Sequence, residues 1–544
     1  MNRKKILSLL LIIAVCVAMV AVAVMGIPFK EKKVVTKTDE SIIESQYDKE
    51  SIYLWYTDEA LSNYLNSAAL AFNESHGVRI MPVLQSNVDY MENINSATIE
   101  ADVPDMYILT NDSLEKAYMA GLADPINPED KEAFDNAYLR QAYNAISYKD
   151  MYLGYPLYFE TSTLLYNETY MKDMAVKLLD QEEAQRLAEE EAENAKSATL
   201  APVATPTPTA TVTPSPTATS VSSASASPSA TPTATPTETP TPTPTPCPYS
   251  DEEIQNKVME IIPLTMSGIT ELANVYDAPE AVESVFTWDV TDIFYNYFFI
   301  GDAISLGGEA GWDKSKIDVY NVDAISSLEA YQSLNQFFSI DTKGSEYSLI
   351  VDDFINGKIV FTIATTDIIN VLEQAKADGT FTYDYGLTMI PDMNEEIETR
   401  SLSLTDCLVV NPYSKHKDIV NEFAMFMTTE YTDILYNRSG KIPTYKNVEY
   451  DYPGLAVFAS EYEYSISMPK MMETSNFWVQ LEAVFADIWD GDNPNERLKE
   501  LAEKVNYQLT GVNTELEMIV IEEETEEIEY LDEEALRQQA QEEE

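Results

Sequence analysis

Ile52-Tyr53-Leu54-Trp55-Tyr56 opens the stretch of sequence that determines the fold, and its apolar and aromatic residues are typical of a buried β-strand. A helical pattern from Leu61 to Phe72 follows, and Val78 to Val83 has the composition of a second strand. Another helical pattern, Val88 to Ala101, leads into a third strand at Asp105-Met106-Tyr107-Ile108-Leu109. Strands that alternate with helices predict an open α/β sheet rather than an all-helical protein.

The composition of the chain limits its partners and its chemistry. Its 544 residues include 92 acidic and 34 basic side chains, which give a formal net charge of -58 at pH 7. Phosphate backbones repel such a chain, so we expect no nucleic-acid partner. The three cysteines, Cys16, Cys247 and Cys407, are too few and too far apart for a disulfide framework or a cysteine zinc site. Stability must therefore come from an apolar core, for which a 45% hydrophobic composition is sufficient.

The amino terminus has the pattern of a membrane anchor. Three basic residues at positions 3 to 5 precede an uncharged apolar run, Ile6 to Phe29, which is long enough to cross about 30 Å of hydrocarbon as a helix. We expect residues 1–5 in the cytoplasm, 6–29 as a retained signal anchor, and 30–50 as a linker next to the membrane.

Two alternatives to the anchor remain open. A cleaved signal peptide usually has a shorter apolar region, about 7 to 15 residues. Lipidation at Cys16 is the other, but Val15 stands where the lipoprotein pattern has Gly, Ala or Ser. An ordinary membrane-buried cysteine fits position 16 better.

Residues 173–258 are a predicted insertion into a folded domain. Ala201 to Pro248 contain 13 of the 27 prolines, with Thr, Ser and Ala, so no core can form there. The preceding stretch, Asp180 to Lys196, is acidic and forms at best a solvated helix. We expect a disordered spacer, or alternatively a glycosylated or partner-binding stalk. Residues 514–544 form an acidic tail whose self-repulsion should keep most of it from packing.

Several short motifs carry a resemblance to a known family. They are Pro104-Asp105, Ala120-Gly121-Leu122-Ala123-Asp124, Gly154-Tyr155-Pro156-Leu157 with Glu160, Phe354-Ile355-Asn356-Gly357-Lys358, Tyr385-Gly386 before Ile390-Pro391, and Ser475-Asn476-Phe477-Trp478. In this order the sequence resembles the extracellular solute-binding proteins of ABC importers, the family of the maltose- and oligosaccharide-binding proteins. None of the motifs is diagnostic alone, and their order and spacing make the resemblance specific.

The resemblance implies an α/β fold of the periplasmic-binding-protein type (type II), a clamp of two lobes between which the chain crosses three times. By position, we place the first lobe at 51–157 and 391–440, and the second at 158–172, 259–390 and 441–509. The implied function is to capture a carbohydrate, in particular an oligosaccharide, outside the cell and to deliver it to an ABC permease in the membrane. We expect a membrane-anchored monomer without a cofactor.

Two carboxylates are the first candidates for ligand binding. Glu160 follows the first expected crossover, where the family commonly offers a carboxylate that can accept two hydroxyl hydrogen bonds. Its alternative role is that of a solvated or capping glutamate. Asp112 follows the third strand, and the carboxyl ends of strands face the cleft in open α/β sheets. Helix capping is an equally good interpretation of Asp112, because Asn111 and Ser113 flank it.

Aromatic and polar residues of the second lobe complete the candidate site. Trp478 matches the family's stacking tryptophan, with core packing beside Phe477 as the alternative. Where the maltose-binding protein has a second tryptophan, this chain has Thr366 and Asp367, and this difference argues against maltose itself as the ligand. Further candidates are Asp292, Tyr295 and, at the lip of the first strand, Glu59 and Trp55.

The sequence gives little support to an enzyme. Its two histidines, His76 and His416, are not paired, and it has no nucleophile-elbow, zinc-protease or P-loop pattern. A surface glycoside hydrolase remains an alternative because acid pairs cannot be recognised from sequence. A ligand sensor or structural protein with the same fold is the other alternative.

Overall fold

The computed structural model describes residues 51–100, 104–199 and 247–521. The expected anchor at 6–29, with Cys16, therefore lies outside the described residues, as do 30–50, most of the Pro/Thr-rich segment and the last part of the tail. No helix within the described ranges has both the length and the apolar character needed to cross a membrane.

The described chain forms an α/β structure with two main sheets. Its strands are β1 Ser51–Tyr56, β2 Arg79–Leu84, β3 Met106–Thr110, β4 Ser147–Tyr148, β5 Met151–Tyr152, β6 Tyr155–Glu160, β7 Ser162–Asn167, β8 Ser284–Phe286, β9 Ser305–Leu306, β10 Ile317–Asp318, β11 Ile359–Thr365, β12 Tyr385–Thr388, β13 Leu402–Val410, β14 Ile442–Pro443 and β15 Ile466–Ser467. Its helices are α1 Ser62–His76, α2 Tyr90–Glu100, α3 Leu114–Met119, α4 Lys131–Ala137, α5 Arg140–Ile146, α6 Glu168–Thr199, α7 Asp251–Ile261, α8 Met266–Val275, α9 Ile293–Asn296, α10 Val322–Phe338, α11 Tyr347–Ile355, α12 Ile368–Ala377, α13 Lys417–Met425, α14 Leu435–Ser439, α15 Pro453–Tyr464, α16 Phe477–Trp489 and α17 Pro494–Thr510.

The first lobe is built on the sheet β14-β6-β13-β3-β1-β2, with β15 beside β13. Residues 158–160 and strand β14 therefore lie in the first lobe and not in the second, where the sequence placed 158–172 and 441–509. Strand β1 pairs in parallel with β2 and β3, so the strand-helix-strand prediction for this stretch is confirmed. Ile52, Leu54 and Tyr56 alternate inward, and their burial in the first-lobe core fixes the register of β1. Strand β13 then runs antiparallel between β3 and β6, which brings the later part of the chain into the middle of this sheet.

The second lobe is built on the sheet β12-β7-β11-β8. Strand β11 is buried along nearly its whole length, as its run of Ile, Val, Phe and Ala predicts. The core of the second lobe contains two tryptophans, Trp288 and Trp489, whose rings meet edge to face with centroids 5.6 Å apart. Helices α10, α16 and α17 cover this core, because their apolar faces pack on one another and on the rings.

The lobes are joined by short segments that lie side by side. Thr161 is the single residue between β6 of the first sheet and β7 of the second, and it is fully buried. The return from β12 to β13 passes through Ser401, whose hydroxyl lies 3.1 Å from that of Thr161. Since β6 ends at this junction, the side chain of Glu160 is placed at the boundary between the lobes.

The predicted insertion has more structure at its base than its composition suggests. Helix α6 continues into it as far as Thr199, and α7 packs back against α6. Ala175 and Val258, which fall inside the predicted bounds of the insertion, belong to the buried core of the second lobe. The ammonium of Lys257 contacts the carboxylate of Glu182 at 2.6 Å. Helices α6 and α7, at the two ends of the insertion, therefore pack as part of the second lobe. Each has a stripe of apolar residues that the acidic average composition of the segment does not reveal.

The start of the acidic tail also packs. Leu516, Ile519 and Ile521 lie against the second lobe, and the backbone N–H of Ile519 donates to the hydroxyl of Tyr320 at 2.9 Å. The backbone N–H of Leu516 donates to the carboxylate of Glu503. Three apolar residues among the acidic ones are enough to hold this short segment, which the net charge alone does not predict. The rest of the tail lies outside the described residues.

Candidate functional site

A cavity of about 560 Å³ lies between the two lobes, which we call the central cavity. It is found where the carboxyl end of β6 faces the turn that follows β11. The first lobe contributes Ala60, Glu160, Leu404, Ser439, Gly440 and Lys441, and the second contributes Asp292, Phe294, Tyr295, Tyr347, Thr365, Thr366, Asp367 and Asn370. Walls from both lobes allow closure to bury a ligand against each of them.

A lysine held between carboxylates lies on the first-lobe side. The Lys441 ammonium is 2.6 Å from Glu160 Oε1 and 3.0 Å from Asp58 Oδ2. It also lies 5.2 Å from the ring centroid of Tyr158, within cation–π distance. Burial disfavours the charged ammonium, but Glu160 and Asp58 outweigh this effect and raise the pKa of Lys441 above its ordinary value. Glu160 is therefore one side of a fixed ionic network rather than an isolated carboxylate.

A further carboxyl lies beneath this network. Asp406 stands on β13, two residues from Leu404 and on the same face of the sheet. Burial and the neighbouring Glu160 raise the pKa of Asp406 to about 8, against the opposing effect of Lys441. A raised pKa favours the protonated form of this carboxyl, which can donate a hydrogen bond. The first-lobe wall thus contains charged donors and acceptors, and Asp406 lies near them without lining the central cavity.

Two stacked tyrosines form part of the second-lobe wall. The rings of Tyr295 and Tyr347 lie 4.8 Å apart at 27°. Asp292 begins the short helix α9 by accepting the backbone N–H of Phe294, and this cap positions Tyr295 one turn later. Tyr347 is fixed at the start of α11, where its own backbone N–H donates to Asp289 at 3.0 Å. The ring pair gives the cavity an apolar surface next to polar groups.

The turn after β11 supplies those polar groups. The backbone N–H of Thr365 donates to the hydroxyl of Tyr347 at 3.1 Å, and the Thr365 hydroxyl donates to the carboxylate of Asp367 at 2.6 Å. Thr366 is buried, whereas Asp367 is exposed to the cavity. Hydroxyl and carboxylate groups therefore face the ion network of the first lobe across the central cavity.

Comparison with known proteins agrees with this architecture. A model of the family described as bacterial extracellular solute-binding protein matches residues 67–192. An extracellular solute-binding protein from Staphylococcus aureus, solved with maltose, is 17% identical with a TM-score of 0.60, over 85% of this chain and 99% of its own. This chain has the two-lobed fold of the solute-binding proteins. Its sequence resembles them, as the motifs predict.

Two further solved structures have the same fold. A cyclo/maltodextrin-binding protein in complex with maltotetraose is 14% identical with a TM-score of 0.59, over 86% of this chain and 99% of its own. A maltose-binding periplasmic protein from Listeria monocytogenes, in complex with maltose, is 15% identical with a TM-score of 0.56, over 86% of this chain and 100% of its own. No curated protein matches the chain.

The structure brings most of the candidate residues to the space between the lobes. Five of them line the central cavity: Glu160, Asp292, Tyr295, Thr366 and Asp367. Glu59 lines an adjoining cavity of about 720 Å³, which we call the outer cavity.

Asp112 and Trp478 line neither cavity. Asp112 accepts a hydrogen bond from the Thr110 hydroxyl, so its carboxylate is engaged at the end of β3. Trp478 is half-buried, and its ring packs 5.5 Å from that of Tyr297. The contact of Trp478 corresponds to the packing alternative. Asp112 accepts from the side-chain hydroxyls of Thr110 and Ser113 and not from a backbone N–H of the described chain, so it does not act as a helix cap. Trp55 is half-buried too and packs against the first-lobe core.

Three residues that line the central cavity have little or no sequence signal of their own. Lys441 follows Gly440, which caps the end of α14, Tyr347 begins a helix, and Asn370 lies on the exposed face of α12. Each has the pattern of an ordinary surface or boundary residue. A lysine that follows a glycine at a helix end is the one weak signal, because the glycine turns the chain back toward the sheet.

Proposed function

We propose that this protein is the extracellular substrate-binding component of an ABC importer and that it captures a carbohydrate between its two lobes. The observation that carries the proposal is the central cavity, in which the Glu160–Lys441 network faces the stacked Tyr295 and Tyr347. Sugars have hydroxyl groups on their edges and C–H groups on their ring faces. A wall of charged donors and acceptors opposite aromatic rings is suited to both.

The comparisons support the class of ligand. The similar binding proteins were solved with maltose or maltotetraose. In this chain the turn at Thr366 and Asp367 presents polar groups, so we propose an oligosaccharide other than maltose. We propose binding without turnover, as in the similar proteins, which were solved as binding proteins with their sugars. We propose delivery of the sugar to a membrane permease as the next step.

A Glu160→Gln variant tests the site directly. The amide keeps the size of the carboxylate but loses its charge, so charge-assisted hydrogen bonds to the ligand should weaken by about 1–3 kcal/mol. A thermal-shift screen of oligosaccharides on the full chain identifies the ligand, and calorimetry then gives the affinity of wild type and variant.

Glu74→Gln is the control for this variant, because Glu74 is exposed on α1 and lines neither cavity. The control should bind as the wild type does. Equal affinity in Glu160→Gln would show that the ligand does not use the central cavity. Recovery of shortened oligosaccharide after incubation would indicate a hydrolase instead.

We also propose that the protein is held at the outer face of the cell membrane by residues 6–29. This proposal is based on the apolar run and on the three basic residues that precede it. Amino-terminal sequencing of the native protein should find Met1 or Asn2, and protease added to intact cells should release the body of the protein. A mature amino terminus at Cys16 or beyond would contradict the anchor.

A further inference from the structure

A cavity of about 610 Å³ lies on the first lobe and shares no lining residue with the central cavity; we call it the edge cavity. It lies between the end of α1, the start of α4 and α13, and it includes Tyr155, the first residue of β6. Strand β6 runs parallel to β1, because β6 and β3 are both antiparallel to β13 and β3 is parallel to β1. Glu160 of the central cavity ends β6, so the edge cavity lies at the opposite edge of the first sheet, where the parallel strands begin.

The edge cavity has an apolar surface. Met425 and Phe426, at the end of α13, are half-buried and line it together with two alanines of α4. The hydroxyl of Tyr155 is already paired, because it donates to Asn421 Oδ1 at 2.7 Å. An apolar side chain therefore suits the centre of this cavity better than a hydroxyl group does.

The rim of the edge cavity is acidic. Glu129, Asp130, Glu422 and Glu430 line it, and none of the lining residues is a lysine or an arginine. Asp130 caps α4, and Glu422 lies 3.3 Å from Nε2 of His76. Glu129 and Glu430 are exposed, and neither carboxylate makes a hydrogen bond or an ion pair with a described residue. The cavity therefore fits an occupant that joins an apolar side chain to positive charges.

The chain that precedes β1 is joined to the first lobe at this same edge. Ser51 pairs with Arg79 across β1 and β2, and His76 of the edge cavity lies three residues before Arg79. Neighbouring strands are about 4.8 Å apart and successive Cα atoms about 3.8 Å, so the Cα atoms of Ser51 and His76 lie within about 16 Å of each other. Residues 30–50, which lie outside the described residues, are therefore attached close to the edge cavity.

The attached segment contains a basic stretch, Lys30-Glu31-Lys32-Lys33-Val34-Val35-Thr36-Lys37. Four of its eight residues are lysines, whereas the whole chain has 34 basic residues in 544. In an extended chain Lys33, Val35 and Lys37 lie on one side, with the valine between the two cations. Lys37 is 14 residues from Ser51, and an extended chain of this length spans up to about 46 Å, which is enough to reach across the edge cavity.

We propose that the edge cavity binds residues 30–37 of the same chain, with Val35 on the apolar surface and with Lys33 and Lys37 at the acidic rim. Apolar contact and charge pairs act together here, since exposed charge pairs alone contribute little. The tether to Ser51 gives the stretch an effective concentration at the cavity on the order of millimolar, so a weak contact is sufficient. The docked stretch fixes the orientation of the first lobe relative to the chain that precedes it, and this inference does not depend on the sugar site.

Limited proteolysis of the full chain in micelles of a nonionic detergent tests the docking. Trypsin cleaves after lysine, and mass spectrometry follows cleavage of the Lys37–Thr38 bond. Cleavage requires the stretch to leave the cavity, so its rate follows the undocked fraction. A Glu129→Gln/Glu430→Gln variant should be cleaved at this bond about fivefold faster than the wild type, because the lysines lose two of the four carboxylates at the rim. Its melting temperature should be unchanged, since neither carboxylate has a partner among the described residues.

Two matched controls separate the cavity from general effects of charge and sequence. Glu74→Gln/Glu132→Gln removes two exposed carboxylates that do not line the edge cavity, and it should be cleaved at the wild-type rate. Val35→Ser should accelerate cleavage about fivefold through lost apolar contact. Val34→Ser, on the other side of the extended stretch, should change the rate by less than about twofold.

Three results would overturn the docking. One is an equal rate of Lys37–Thr38 cleavage in the wild type and in Glu129→Gln/Glu430→Gln. Another is an equal acceleration by Glu74→Gln/Glu132→Gln, because net charge and not the cavity would then be responsible. The third is rapid cleavage in every protein with a melting temperature that spermidine raises in the wild type and not in Glu129→Gln/Glu430→Gln, which would assign the cavity to a free organic cation. None of these results bears on the proposed sugar site.

Discussion

A Lys441→Met variant should lose about 2–3 kcal/mol of unfolding free energy and most of its ligand affinity. The substitution keeps a long side chain but leaves Asp58 and Glu160 without their cation. Only 18% of the lysine side chain is exposed, so solvent compensates for the lost charge only in part. The pKa of Asp406 should rise further, because Lys441 is the first of two groups that lower it, and only the hydrogen bond from Tyr158 would remain. Urea denaturation measures the stability, and calorimetry measures the affinity.

A double variant separates the ionic effect from packing. If uncompensated charge is the cause, Lys441→Met combined with Glu160→Gln should be more stable than Lys441→Met alone. Lys177→Met is the control, because Lys177 is 58% exposed and pairs with an exposed aspartate at 3.4 Å. That control should change stability by less than about 0.5 kcal/mol. A Lys441→Met protein as stable as the wild type would mean that the network contributes nothing to the fold.

The fold could be predicted from the sequence because its signal is distributed over many residues. The apolar composition of strands such as Ile52–Tyr56 predicts that they are buried. The alternation of such strands with helices then leaves few possible topologies. The helical base of the insertion could not be predicted in the same way. Ala175 and Val258 supply its core contacts, and they are separated in sequence by the Pro/Thr-rich segment. The contact between α6 and α7 can be recognised only when the three-dimensional positions of both ends of this segment are known.

Part of the candidate site could be predicted from the family resemblance. Asp292 and Tyr295 correspond by position to a ligand-contacting stretch of that family, and Thr366 and Asp367 to its second tryptophan; all four line the central cavity. Lys441 was not predictable, because its function comes from partners at positions 58 and 160 that only the folded sheet brings together. In a chain with this many carboxylates, no sequence pattern shows which of them surround a cation.

Buried hydroxyl groups and one buried carboxyl occupy the junction between the lobes. Glu461 on α15 is 3% exposed, and it accepts the backbone N–H of Ile390 at 3.0 Å and the hydroxyl of Ser401 at 2.6 Å. Ser401 in turn contacts Thr161 of the first crossover. A single carboxyl thus joins α15 to the segment between β12 and β13 and, through Ser401, to the first crossover. Burial raises the pKa of Glu461 to about 7, although both hydrogen bonds oppose this shift, and Asp392 adds to it.

A Glu461→Gln variant should gain stability relative to the wild type as the pH rises. The folded protein holds the Glu461 proton up to about pH 7, whereas the unfolded chain releases it near pH 4.3. The folded state therefore binds more protons between these values, and the wild type loses stability as the pH increases through them. The shift corresponds to about 3 kcal/mol, and glutamine, which does not titrate, removes this loss.

Urea denaturation of both proteins at pH 4.5, 6 and 8 measures the effect. The unfolding free energy of the wild type should fall relative to that of the variant by roughly this amount. The comparison cancels the contribution of Asp406, which both proteins share. A stability difference that stays constant from pH 4.5 to 8 would show that Glu461 is ionised in the folded protein and that the junction tolerates its charge.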